Sequence, residues 1–308
     1  MLKDLLTQGW AYHATESGRL AGELEAAADE ARQTPAELVR YLQVSTHTIG
    51  EHMGDWARAR RLGDQVLGGL APSPETAKAW AYLSIARLLS GDALGAIESE
   101  LTCLTAAGAD FRPTLIEARF LLVAALVGCQ RTSEGVPIYA AALELARRLG
   151  DAAPHRAVAI AANNLASELL EAPSRTPEET SLMQAAADAS HEFWVKCGTW
   201  ENDMRGYYLR ALVANVADEP RAALAHVDQA LSLIAANGAA PIDETFLQLA
   251  RAHAYALTGD SVASNDALAR SDRSAAEWDD PGLLAWHAEE RARVFPGLPP
   301  RATERQPA

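Results

Sequence analysis

Glu75 to Ala109 reads ETAKAWAYLSIARLLSGDALGAIESELTCLTAAGA: two apolar runs of helical periodicity joined by Gly91-Asp92. A glycine there supplies the left-handed turn that ends one helix, and the aspartate side chain starts the next. The same signal recurs at Gly54-Asp55 and Gly259-Asp260, and a small residue follows each aspartate by four positions: Ala59, Ala96 and Ser264. Ala217-Asp218-Glu219-Pro220 is a degenerate copy. Asp55 and Asp92 are 37 residues apart. A unit of roughly 35–42 residues, each a helix–turn–helix, is the mark of an α-solenoid, because one helix pair cannot bury its own apolar face and must stack on a neighbour.

Outward from this unit, other helix starts are equally plain. Thr34-Pro35-Ala36-Glu37 and Thr176-Pro177-Glu178-Glu179 each offer a capping hydroxyl, a proline in the first helical position and a glutamate placed to close a capping box. Ser73-Pro74 and Asp280-Pro281 are partial versions. Between them run amphipathic stripes such as Leu115, Ala118, Leu122, Ala125 and Leu126, or Leu224, Val227, Leu231 and Ile234. Alanine, the best helix former and a poor strand former, fills 64 of 308 positions, which argues against a β-sandwich, a barrel or a parallel-sheet enzyme. At 49% hydrophobic and 22% charged the chain is not of disordered composition.

The unit of residues 75–109 resembles a tetratricopeptide repeat. Trp80-x2-Leu83-Ser84 is similar to that family's Trp-x2-Leu-Gly, and Ala96 stands at its helix-crossing small position. Arg87 and Glu100 replace the expected aromatics, and no proline closes the unit. Asn164-Leu165-Ala166, Arg210-Ala211 and Arg251-Ala252 stand where first helices of such units pack closely. The resemblance implies an all-α, right-handed solenoid of about seven pairs, beginning near residues 2, 36, 75, 113, 154, 200 and 243. A capping helix near 280–295 would complete a single domain over 1–297, with 298–308 a disordered tail. First helices would line a concave groove.

A net charge of −14, from 27 basic and 41 acidic side chains, repels phosphate backbones. The basic runs Arg58-Ala59-Arg60-Arg61 and Arg147-Arg148 read as solvated helix faces, so no direct nucleic-acid partner is expected. Cys103, Cys129 and Cys197 form no C-x-x-C pair, and read as free, buried thiols of a reducing compartment. The start lacks a signal-peptide core, and the longest apolar run, Phe120 to Cys129, covers about half of a bilayer span. A cytoplasmic protein without membrane attachment is the expectation. No G-x-S-x-G elbow exists, and Leu67-Gly68-Gly69-Leu70 lacks the lysine of a phosphate loop, so neither an enzyme nor a cofactor is called for.

His47 and His52 raise a metal reading and defeat it in the same step. Five residues turn an α-helix through about 500°, leaving the two rings on different faces. His47 and Glu51 share a face, but two ligands make no site, and no metal is assigned. The densest aromatic cluster, Phe193, Trp194, Trp200, Tyr207 and Tyr208, reads mainly as core, with Tyr208 the ring most suited to the groove.

The groove is the place to seek function, with Lys78, Tyr82, Phe120, Asn163, Asn164, Arg205, Tyr208 and His253 on the inward side of the first helices. Asn163-Asn164 is the sharpest feature: two adjacent amides are poor for helix propensity, and amides can bracket a peptide backbone. The alternative is that they hydrogen-bond to the next pair. Lys78 and Arg205 are too isolated for the carboxylate clamp of chaperone-binding tetratricopeptide proteins. The expectation is a non-enzymatic scaffold holding a peptide or protein segment, with homodimerisation through an end of the stack left open. A second reading is a ligand-sensing regulatory module, since Leu145 to Asp151, LARRLGD, resembles helical sensor halves of bacterial regulators. A third is an enzyme with a site near Asn164, Arg205 and His253.

Overall fold

A computed structural model describes residues 2–295. Every regular element among them is helical, and within each of two compact units successive helices pack on one another in a solenoid-like order. The two units divide at Pro154 and His155.

In the first unit, the hairpins are α6 (Ala77–Leu89) with α7 (Ala93–Ala107) and α8 (Arg112–Gly128) with α9 (Thr132–Leu149). Before them come α1 (Leu2–Gln8), α2 (Ser17–Ala26), α3 (Ala28–Arg32), α4 (Leu38–Ser45) and α5 (Trp56–Leu67). The second unit contains three hairpins: α10 (His155–Glu171) with α11 (Pro177–Cys197), α12 (Trp200–Val216) with α13 (Pro220–Asn237), and α14 (Pro241–Leu257) with α15 (Ser261–Ala275). There α10 touches α12 and α12 touches α14, while α16 (Pro281–Val294) packs on α14.

The turns are built as their chemistry dictates. Gly54, Gly91 and Gly259 have φ of 68°, 89° and 78°. After each, the aspartate caps the next helix: Asp55, Asp92 and Asp260 accept from the backbone N–H of Arg58, Gly95 and Ala263. The degenerate copy works differently from its reading as a cap. Asp218 itself takes the left-handed conformation, φ 59°, so it occupies the glycine position, and Glu219 stands where a capping aspartate would. Gln130, φ 59°, does the same between α8 and α9, a turn with no glycine or aspartate to announce it.

Thr176 and Glu179 form the capping box. Thr34 does not: its hydroxyl donates to the Glu30 carbonyl at 2.9 Å, and Pro35–Glu37 is a single 3-10 turn. The three thiols are free, and two of them are less buried than expected. Cys103 is buried and its pKa is pushed up to about 11 by burial, Cys129 is half-buried and receives the Trp56 indole N–H at 3.1 Å, and Cys197 is exposed.

The largest departure lies after α4. Residues Thr46–His52 continue that helix as a π-helix, in which hydrogen bonds run to the fifth residue; Met53 N–H donates to the Thr48 carbonyl at 3.2 Å. Thr46, Thr48, Ile49 and Gly50 are weak α-helix formers, so the wider turn costs little here. Gly50 makes it fit, because a Cβ at that position would lie 2.5 Å from the Trp56 ring. A five-residue ladder brings His47 and His52 together, with their Nε2 atoms 3.1 Å apart. The expectation that these rings face apart is therefore wrong, because it assumed α-helical rotation.

No helix among the described residues is long and apolar enough to cross a membrane. The 298–308 segment lies outside the described residues.

Candidate functional site

In the second unit, α10, α12 and α14 present their faces to a cavity of about 520 Å³, closed on one side by α16. Tyr208, Leu209, Leu212, Phe246 and Trp286 supply an apolar lining, and Asn163, Arg205, Asp243, Glu290 and Arg293 the polar one. Phe246 is buried and stacks on Trp286 at 4.1 Å between ring centroids, which fixes one wall; Trp286 keeps 44% of its surface exposed. Arg205 donates from Nε to Asp243 Oδ1 at 2.8 Å and from its terminal nitrogen to Oδ2 at 3.3 Å, a two-pronged bridge from α12 to α14. Asp243 holds the guanidinium protonated well above its ordinary value. Arg293 pairs with Glu290 at 3.0 Å. The charges are thus compensated before any ligand arrives, and Arg205 is not a free clamp for a carboxylate. Burial pushes the Tyr208 phenol up, with Glu290 and Asp243 adding to the shift, so it enters any contact as an O–H donor.

Asn163 and Asn164 distinguish themselves by what they lack. Asn163 is half-buried at the cavity, and Asn164 is exposed. Both also line a neighbouring recess of about 190 Å³ with Trp194, Asn202 and Arg205. Among the described residues neither side chain has a hydrogen-bond partner, so the expected alternative, a bond to the next pair, is not formed. Asn215 shows what a structural amide looks like in the same unit: it is buried, and its Nδ2 donates to the Ala250 carbonyl at 2.9 Å, tying α12 to α14.

The other inward residues behave as structure. Lys78 is paired with Glu117. Tyr82 is buried, with burial pushing its phenol up, and Phe120 is buried edge-on against Tyr139 at 5.3 Å. His253 on α14 is half-buried, lies away from the cavity lining, and titrates below its usual value because of burial. The structure therefore brings Asn163, Arg205 and Tyr208 into one cavity, sets Asn164 beside it, and leaves Lys78, Tyr82, Phe120 and His253 elsewhere. Sequence reasoning missed Trp286 and Arg293, since it gave residues 280–295 only a capping role, and it did not single out Phe246 on α14. The apolar run Leu283-Leu284-Ala285-Trp286 was the available signal that α16 does more.

A separate apolar stripe lies on α7, where Leu94, Ile97 and Leu101 are each more than half exposed. No family model and no curated protein sequence matches the chain, so its own geometry carries the functional reading.

Proposed function

We propose that the protein is a non-enzymatic, tetratricopeptide-like binding module, and that its cavity between α10, α12, α14 and α16 holds a peptide segment. The observation that carries this reading is the pair of unpartnered amides, Asn163 and Asn164, beside an apolar chamber. The amides bracket a main-chain N–H and C=O of the segment. An aromatic or branched aliphatic side chain of the same segment enters between Tyr208 and Trp286, where burial of apolar surface supplies most of the affinity. The compensated rim, Arg205 with Asp243 and Glu290 with Arg293, disfavours a ligand that brings one unbalanced charge into the chamber.

A second reading has its own support. The volume of about 520 Å³ falls within the range of roughly 300–1,000 Å³ typical of small-molecule sites, as a ligand sensor requires. The test is a display selection of random peptides on the full chain, run in parallel with an Asn163→Ala, Trp286→Ala variant of equal melting temperature. Peptides sharing an aromatic or aliphatic anchor, retained by the wild type and lost by the variant, support the peptide reading. Peptides retained equally by both place the working surface elsewhere, with the α7 stripe next to probe. No selected peptide, together with small molecules that raise the melting temperature of the wild type alone, favours the sensor.

A further inference from the structure

Three histidines of the first unit converge from two separate stretches of chain. His47 and His52 come from the π-helical turn, and His13 from the turn between α1 and α2. One ligand nitrogen from each lies within 4.8 Å of the other two. We propose that His13, His47 and His52 bind a late first-row divalent transition metal ion, with zinc the reference case, through their Nε2 atoms.

Two of the rings are already in the tautomer that this requires. His13 Nδ1 lies 2.8 Å from the Trp10 carbonyl, to which only an N–H can donate. His47 Nδ1 is bonded to the Glu51 carboxylate. With Nδ1 protonated in both, each Nε2 carries a lone pair, the form a metal needs. A carboxylate or carbonyl behind the imidazole is the usual support of a metal-binding histidine: it fixes ring orientation and raises ligand basicity. Trp10 packs against both rings, with centroids 5.2 Å from His13 and 5.3 Å from His47, and restricts their rotation.

The spacing suits coordination. Zinc–nitrogen bonds of about 2.0–2.1 Å in a tetrahedron put neighbouring ligand nitrogens about 3.3–3.4 Å apart. His47 and His52 Nε2 atoms are 3.1 Å apart, close to that edge. In that contact the His52 Nε2–H donates to His47 Nε2; the ion replaces this shared proton, which leaves Nε2 as His52 takes the Nδ1–H form. His13 sits on a turn and needs to move inward by about 1–1.5 Å to complete the face. His52 is exposed, which leaves the fourth position to water. Three neutral imidazoles suit zinc, copper or nickel, and not the oxygen-seeking magnesium or calcium. Filling the site ties residue 13 to residues 47 and 52 and so braces the helices before α5.

The test uses the full, untagged chain, stripped of metal and titrated with cobalt(II) and then zinc. One equivalent of cobalt should bind and give the intense visible absorption of a tetrahedral nitrogen site, and zinc should displace it. His52→Gln, at an exposed position, should weaken binding at least about tenfold, as removal of one of three ligands implies, with an unchanged far-ultraviolet spectrum. Glu51→Gln should weaken it by about 10–100-fold while the coordination spectrum persists, which separates a supporting carboxylate from a ligand. His226→Gln, far from the site in sequence, should change nothing. Absence of stoichiometric uptake, or uptake that is unaltered in both His52→Gln and His13→Gln, overturns the proposal.

Discussion

The hairpin α14–α15 and the segment from α1 to α5 are built from the same residue types, yet the hairpin follows its sequence reading throughout, whereas the segment departs from it after α4. In that hairpin, turn chemistry, apolar period and helix length agree: Asp260 caps, Gly259 turns, and Ser264 sits at the crossing, where its hydroxyl donates to the Ala252 carbonyl at 2.8 Å. In the earlier segment one tertiary contact, the Trp56 ring on Gly50, accompanies a change of helical pitch that no local signal announces. Periodicity reports a helix correctly only while its pitch is constant, and a π-turn resets the phase of everything that follows it.

Two glycines allow that difference to be broken directly, one in the early segment and one on the regular helix α12. Gly50 meets the Trp56 ring and Gly206 the His191 ring, each so closely that a Cβ would lie 2.5 Å from a ring carbon. Gly50→Ala should cost about 3 kcal/mol and, by closing the π-turn, separate His47 from His52. Gly206→Ala should cost about 1–3 kcal/mol through movement of a single ring and leave the helix pitch unchanged. Urea denaturation gives both costs, and cobalt uptake distinguishes them, since only Gly50→Ala should lose it.

The response to acid sharpens the comparison next, because the regular hairpins and α16 carry three histidines whose pKa burial lowers. Burial is the first cause lowering the pKa of His226, His253 and His287. His226 also faces Arg210 and His191, which act in the same direction, opposed by Asp188 and Glu219, while His287 faces Asp272 and Arg291. In the unfolded chain each takes its proton near pH 6.5, and in the folded chain only at lower pH. Their contribution to stability is therefore whole above about pH 6.5 and falls away below it, as the unfolded state binds protons that the folded state does not. Thermal melts between pH 7.5 and 5 should show this decline, and a His226→Gln, His253→Gln, His287→Gln variant should show less of it.

The smallest effects concern the two turns that lack glycine. Gln130 and Asp218 hold φ of 59°, a conformation that L-residues adopt at a cost. Gln130→Gly and Asp218→Gly should each stabilise by up to about 1 kcal/mol, the larger gain at Gln130, whose side chain lacks aspartate's local hydrogen bonding. A neutral or negative result at both positions would show that side-chain contacts there outweigh the strain.

These cases also mark how much the sequence carries. The expected pair starts at residues 75, 113, 154, 200 and 243 lie within two residues of α6, α8, α10, α12 and α14, because caps and turn glycines are local. The cavity was half legible. Asn163, Arg205 and Tyr208 follow from helical register, whereas the Trp286 wall depends on where α16 docks, which is a tertiary fact. Asn163 and Asn215 are both amides within helices, and only the structure tells the unpartnered one from the one bonded to Ala250. The histidine trio was not legible at all, since it needs a π-turn and a residue more than 30 positions away.

The central claim is that the α10–α12–α14–α16 cavity is the working surface. Its most direct test is calorimetric titration of one selected peptide into four chains: wild type, Asn163→Ala, Trp286→Ala, and Val262→Ala on exposed α15 as control. The account predicts that Trp286→Ala weakens binding by at least about tenfold, as loss of the aromatic wall that packs on the peptide's anchor does, that Asn163→Ala weakens it by less, and that Val262→Ala has no effect. Equal affinity for the wild type, Asn163→Ala and Trp286→Ala would contradict it.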